Sequence, residues 1–238
     1  MNRKRVSIAM ATYNGEKHIS QQIDSILANM SESDELVISD DGSKDKTIEI
    51  IEKYRDSRIK IFRGPRQGVK QNFANAIKNS SGKYIFLSDQ DDVWANNKIT
   101  KILEVFTKTH CTCILHNAEI VDENLLPWNE TFFTFRKSKT GYFINILKNS
   151  YIGCCMAFDA ALKNIILPIP DTIEMHDQWI GLLSEKIGEN KILDSCLIKY
   201  RRHWNNFSEM KHHPIKIMLR NRYNLLVELR KRLVEVTW

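Results

Sequence analysis

Lys83-Tyr84-Ile85-Phe86-Leu87-Ser88-Asp89-Gln90-Asp91-Asp92-Val93-Trp94 is the stretch on which the fold turns. Tyr84 to Leu87 form a short apolar run without the alternation of a half-exposed strand, which predicts a strand buried on both faces of a parallel sheet. Three carboxylates follow at once. They stand at the strand's C-terminal end, the edge of an open α/β sheet where ligands bind, and carboxylate oxygens suit a hard divalent cation that carries a phosphorylated ligand. An acidic turn capping the next helix is the plainer alternative, above all for Asp92. Val93-Trp94-Ala95 leads into a helix with Ile99, Ile102, Leu103 and Phe106 on one face. On this segment alone both readings stay open.

Upstream, strand-like and helix-like segments alternate with little linker. Val6 to Thr12, Glu35 to Asp41 and Ile59 to Arg63 read as strands, and Glu16 to Asn29, Lys44 to Arg55 and Lys70 to Asn79 as helices. This is the pattern of βαβ units and a parallel sheet. The strand ends carry Thr12-Tyr13-Asn14-Gly15, Asp40-Asp41-Gly42-Ser43 and Arg63-Gly64-Pro65, all expected on the same edge as Asp89 and Asp91. Downstream, Thr112 to Val121 and Lys191 to Tyr200 read as strands, and Gly141 to Lys148 and Ala160 to Ile166 as short helices. A fused second half is expected, and not a separable domain.

At 238 residues, 42% hydrophobic and 27% charged, the chain has ordinary globular composition. No run reaches the roughly 20 apolar residues of a membrane span, and the N-terminus shows no cleavage signature, so an intracellular protein is expected. Five cysteines, arranged as Cys111-x-Cys113, Cys154-Cys155 and a lone Cys196, make neither a disulfide framework nor a spaced zinc site. The net charge is +6, yet from Lys199 onward ten Lys or Arg stand against three Glu, so the basic character belongs to the tail. There Ile215, Met218, Leu219, Leu225, Leu226, Leu229, Leu233 and Val236 recur at helical spacing with Lys216, Arg220, Arg222, Arg230, Lys231 and Arg232 among them. Such a helix can rest on anionic lipid headgroups or pack on the domain with a solvated basic face. No motif for reading nucleic acid is present.

Neither a G-x-G-x-x-G after the first strand nor a G-x-x-x-x-G-K-[ST] occurs, which argues against a dinucleotide fold and a P-loop. Any nucleotide site in such a chain would have to be built from side chains and a metal and not from a glycine-rich anion cradle. Asp177, in Met175-His176-Asp177-Gln178-Trp179, reads as a helix cap or as a general base. Tyr200-Arg201-Arg202-His203-Trp204-Asn205-Asn206 reads as a diphosphate-binding or metal-binding cluster, or as a basic loop.

Taken in order, Ala11-Thr12-Tyr13-Asn14-Gly15, Ser39-Asp40-Asp41-Gly42-Ser43-Lys44-Asp45, Gly68-Val69-Lys70-Gln71-Asn72-Phe73, Ser88 to Trp94, His176-Asp177-Gln178-Trp179 and Tyr200-Arg201-Arg202-His203 resemble family 2 glycosyltransferases, especially the bacterial rhamnosyltransferase-like branch. The resemblance covers roughly Val6 to Asn206. It implies an α/β protein of GT-A fold: a Rossmann-like, mostly parallel sheet flanked by helices, with a nucleotide-sugar half to about residue 110, an acceptor half over about 111–206 and a helical tail over 207–238.

The resemblance also implies roles. Ala11, Thr12, Tyr13, Asn14, Glu16, Asp40 and Asp41 would frame the donor nucleotide, with Asp41 on the base. Lys70 and Gln71 would approach the diphosphate, and Asp89 and Gln90 would lie on the ribose side. Asp91 would hold Mg²⁺ or Mn²⁺, helped by His203, and Asp177 would be the catalytic base of an inverting displacement. Trp94, Gly153, Cys154, His176 and Trp179 would line the sugar and acceptor. Expected partners are a nucleotide-sugar donor, from dTDP-rhamnose to a UDP-hexose, and a saccharide or lipid-linked saccharide acceptor of surface polysaccharide, O-antigen or lipooligosaccharide synthesis. The expected location is cytoplasmic, with peripheral contact at the inner membrane. Because Gln-x-x-Arg-Trp is absent, one sugar per event is expected. The competing readings are a phosphotransferase or phosphatase with Asp89 as nucleophile, and a non-catalytic sugar-nucleotide or glycan-binding module.

Overall fold

A computed structural model describes residues 6–202 and 214–236. The first half is built as its hydrophobic pattern predicts. Strands β1 (Val6–Thr12), β2 (Glu35–Asp40), β3 (Ile59–Arg63) and β4 (Tyr84–Ser88) lie in parallel in the order β3-β2-β1-β4. Every residue of β1 and β2 is buried, as helices on both faces of a parallel sheet require. Helix α1 (Ile19–Leu27) contributes Ile19, Ile23 and Ile26 to that cover, and α3 (Val69–Asn79) contributes Phe73, Ala76 and Ile77. Helix α2 (Thr47–Glu52) is short and buries only Thr47 and Ile51.

The sheet continues without a break into the second half. Beyond β4 it runs through β8 (Met156–Asp159), β6 (Cys113–Val121), β9 (Asn190–Arg201) and the two-residue β5 (Val93–Trp94), while β7 (Pro127–Thr131) pairs with β6. β8 is antiparallel to both neighbours, and β9 runs parallel to β6 with register shifts around Asn117. One difference from the sequence reading concerns Val93-Trp94. These residues are not a helix lead-in but a strand opposite Lys199 and Ile198 of β9, and α4 (Lys98–Thr109) begins only afterwards. Helices α5 (Phe132–Arg136), α6 (Tyr142–Leu147), α7 (Lys163–Ile166) and α8 (His176–Ile187) cover this half.

The tail forms α9 (Ile215–Val236), which docks rather than standing free. Leu225 and Leu229 are buried against the body, and Arg232 donates to the carbonyls of Ile165, Leu167 and Pro168. Among the described residues no helix is long and apolar enough to cross a membrane. Cys111, Cys113, Cys154 and Cys155 are buried free thiols, and Cys196 is free and exposed.

Candidate active site

Register fixes where the polar strand ends meet. Thr12 pairs with Asp40, and Met10 with Ser88, so the loops after β1, β2 and β4 emerge side by side on one edge. Side chains lace these loops together. Asp40 accepts from Thr12 Oγ1 at 2.9 Å and from the amides of Gly42 and Ser43 at 3.0 and 2.8 Å. Gly42, with φ of 95°, supplies the left-handed residue that this turn requires. Asn14 accepts from the Lys44 amide, and Glu16 from the Lys46 amide, at 2.8 and 3.0 Å. Tyr13 and Gln90 exchange two hydrogen bonds of 2.9 and 3.0 Å, joining the loop after β1 to the acidic turn after β4. Ala11 is buried at the end of β1, while the Tyr13 ring is half exposed beside it.

Several expected contacts fall elsewhere. The Asp41 carboxylate accepts from the amides of Arg66 and Gly68 at 2.6 and 2.8 Å, so it shapes the loop before α3. Lys70 donates to the carbonyls of Asp171 and Ile173, and Gln71 to those of Ile169 and the Asp171 carboxylate. Both side chains therefore strap α3 to the 169–173 loop. Trp94 and Trp179 are core residues, not sugar walls. Trp94 is 3% exposed, between Phe86 and the Lys98 ammonium, and Trp179 is fully buried with its indole N–H on the Ile166 carbonyl. An aromatic face can cover a sugar only where solvent reaches it.

The acidic turn is held from two directions, with a buried cation close by. Gln22 of α1 donates to Ser88 Oγ and the Asp89 carbonyl at 2.8 and 2.9 Å. Arg201, at the end of β9, donates from Nε to the Asp91 carbonyl at 2.8 Å and from its guanidinium to Glu123 and Gln21, while its amide bonds Asp92 Oδ1. From α4, the buried Lys98 ammonium donates to the Cys154 carbonyl at 2.9 Å, and burial pulls its pKa down to about 8. Neither Gln22 nor Lys98 stood out in the sequence. Lys98 left a trace there, because it lies four residues before Ile102 on the apolar face of α4. Arg201 belonged to a cluster read as phosphate-binding; its guanidinium bonds the Asp91 and Glu123 carbonyls and the Gln21 amide oxygen. His203 lies outside the described residues.

Burial raises Asp89 to about 7, with the charges of Asp91 and Asp177 adding to the shift. Asp92 is pushed up in the same way, chiefly by burial, and its Oδ2 is buried with no hydrogen-bond partner. Ligand atoms of Asp89, Asp92 and Cys154 lie within 4.8 Å of one another. The Cys154 thiol is held protonated by burial, so the oxygens are the competent donors. Clustered carboxylates with one oxygen lacking a partner fit Mg²⁺ or Mn²⁺.

Asp177 sits in the first turn of α8, but Met175 is the N-cap, so the simple capping reading fails. Both hydrogen bonds to its carboxylate, from Asn149 Nδ2 at 3.2 Å and the Gln178 amide at 2.6 Å, fall on Oδ1. Burial raises its pKa to about 6, within the range useful to a general base near neutrality. His176 is buried, stacked on Phe73 at 4.1 Å, and neither ring nitrogen has a partner. Burial drives its pKa down to about 3, which keeps it neutral. Gly153 admits the imidazole, because a Cβ there would come within 2.7 Å of Nε2.

With this geometry established, comparison with known proteins gives a consistent answer. The family model described as "Glycosyl transferase family 2" matches residues 7–166. The chain belongs to that family and is a glycosyltransferase. It is similar to the UDP-Glc:alpha-D-GlcNAc-diphosphoundecaprenol beta-1,3-glucosyltransferase WfgD of Escherichia coli, with 26% identity and 88% of each chain covered. The dTDP-rhamnosyl transferase RfbG of Shigella flexneri is 34% identical over 45% of this chain and 40% of its own. Among solved structures, S. aureus TarS 1-349 in complex with UDP-GlcNAc superimposes with a TM-score of 0.73 at 18% identity, covering 97% of this chain and 66% of that one. That likeness shows the GT-A fold, as the resemblance implied.

Proposed function

We propose that the protein transfers one sugar, with inversion, from a nucleoside-diphosphate donor to a hydroxyl of a lipid-linked saccharide in surface-polysaccharide synthesis. The observation that carries this reading is the buried Asp177 at the start of α8, both of whose hydrogen bonds fall on Oδ1, with its charge adding to the raised pKa of Asp89 just after β4. A carboxylate that titrates near 6 thus lies within electrostatic reach of the acidic turn, although it comes from the other half of the chain. In the reaction Asp177 takes the proton of the acceptor hydroxyl. The hydroxyl oxygen bonds to the anomeric carbon from the face opposite the diphosphate, and the glycosidic C–O electron pair leaves with the diphosphate. Asp89, Asp91 and Asp92 are the residues that would hold Mg²⁺ or Mn²⁺, which when bound supplies Lewis-acid neutralisation of charge on the leaving group. Tyr13, Asn14, Glu16, Asp40 and Gln90 frame the nucleotide.

A UDP-hexose is the first donor to assay, with UDP-glucose foremost. WfgD and a second Escherichia coli relative, WfaP, 28% identical over 76% of this chain, are both named for UDP-Glc and a diphosphoundecaprenol-linked acceptor. dTDP-rhamnose is second, through RfbG. The test is calorimetric titration with UDP, dTDP, GDP and CDP, each with Mn²⁺ and with EDTA. Metal-dependent binding of UDP or dTDP is expected. Failure of all four to bind, with and without acceptor present, contradicts the reading.

A further inference from the structure

An apolar surface formed by α6 and α9 is left uncovered beside the residue proposed as base. In α6, Phe143 is 77% and Leu147 66% exposed. In α9, Ile215, Leu219, Tyr223 and Leu226 are exposed and follow one another at helical spacing along a single stripe, beside the face that buries Leu225 and Leu229. Arg222, one turn from both Leu219 and Leu226, donates to the Leu147 carbonyl, so the end of α6 abuts this stripe. Lys148, Lys216, Arg220 and Arg230 are exposed around it, and none makes an ion pair among the described residues. Large apolar side chains beside exposed cations, with a tyrosine among them, match the interface of an anionic bilayer in both hydrophobicity and charge.

The same surface is tied to the catalytic centre. Asn149, two residues beyond Leu147, donates to Asp177. Asn221 of α9 donates at 3.0 Å to Glu174, just ahead of α8. We infer that α6 and α9 form one docking face for an anionic phospholipid surface, which holds Asp177 toward the bilayer so that a membrane-borne acceptor meets the base without leaving the lipid. The inference rests on the sugar-transfer reading for the acceptor alone. The docking face stands or falls separately.

The test is sedimentation of the full chain with phosphatidylglycerol-containing vesicles and with pure phosphatidylcholine vesicles. Binding is expected to the anionic vesicles and to weaken as salt rises. Replacing Lys216, Arg220 and Arg230 together by Gln should weaken partitioning on the order of a hundredfold, at about one kcal/mol of attraction per basic residue. Phe143→Ser with Leu147→Ser should weaken it at least about tenfold, with circular dichroism and melting unchanged. Absence of binding at low salt overturns the proposal. So does α6-variant binding equal to that of the parent, which would leave α9 acting alone. Self-association abolished by the same variants, without vesicle binding, would assign the face to a second copy of the chain and equally overturn it. If vesicles bind while no nucleotide does, the docking face survives and the donor reading fails.

Discussion

Asn149 Nδ2 donates to Oδ1 of Asp177 across 3.2 Å, linking the loop after α6 to the first turn of α8. The bond favours the ionised carboxylate against the burial that opposes it. Asn149→Ala should therefore raise the pKa that governs turnover and lower kcat several-fold at neutral pH while leaving donor KM little changed. A pH profile of kcat separates this from a merely structural loss, which would lower the plateau without moving the midpoint.

The parent's own pH dependence follows from Asp177. Burial lifts the carboxyl from 3.8 to about 6, so the base is protonated below that value and ionised above it. We expect kcat/KM to fall about tenfold per pH unit below 6 and to flatten above it until another group intervenes. A profile already flat from pH 4.5 would contradict the role.

Asp91 is separable from Asp177. Asp91→Ala should weaken nucleotide binding in Mn²⁺ and remove most of the difference between Mn²⁺ and EDTA, as read by calorimetry. Binding that stays metal-dependent at parental strength would move the ion to Asp89 and Asp92 alone.

Arg201→Lys keeps the charge but loses the fork that reaches Asp91, Glu123 and Gln21. A loss of about 2 kcal/mol in stability is expected from the charge-assisted bonds of a buried guanidinium. Donor KM should rise as the acidic turn loosens. Denaturant unfolding and KM measured on the same preparation check both.

The parallel half was legible because strands covered on both faces leave apolar runs, as in Ile8 to Ala11 and Tyr84 to Leu87. Less legible were β5, β7 and β8, whose lengths of two to five residues carry little pattern, and for β5 and β8 the pairing partners also lie far along the chain. The acids of the site were readable from spacing and resemblance. Their supports were not, since Gln22, Lys98 and Arg201 act by where the fold brings them. Trp94 and Trp179 misled for a related reason: an aromatic residue near a motif does not declare which side of its element faces the core. The contacts of Lys70 and Gln71 were not readable, because the 169–173 loop that takes their hydrogen bonds is distant in sequence.

The base assignment is tested most directly by Asp177→Asn in a transfer assay with UDP-glucose and a diphosphate-lipid-linked N-acetylglucosamine acceptor, run beside nucleotide calorimetry on the same protein. The prediction is nucleotide and metal binding within about twofold of the parent, with kcat lower by two to four orders of magnitude, roughly the contribution of a positioned base. Turnover at the parental rate with binding intact would contradict the account.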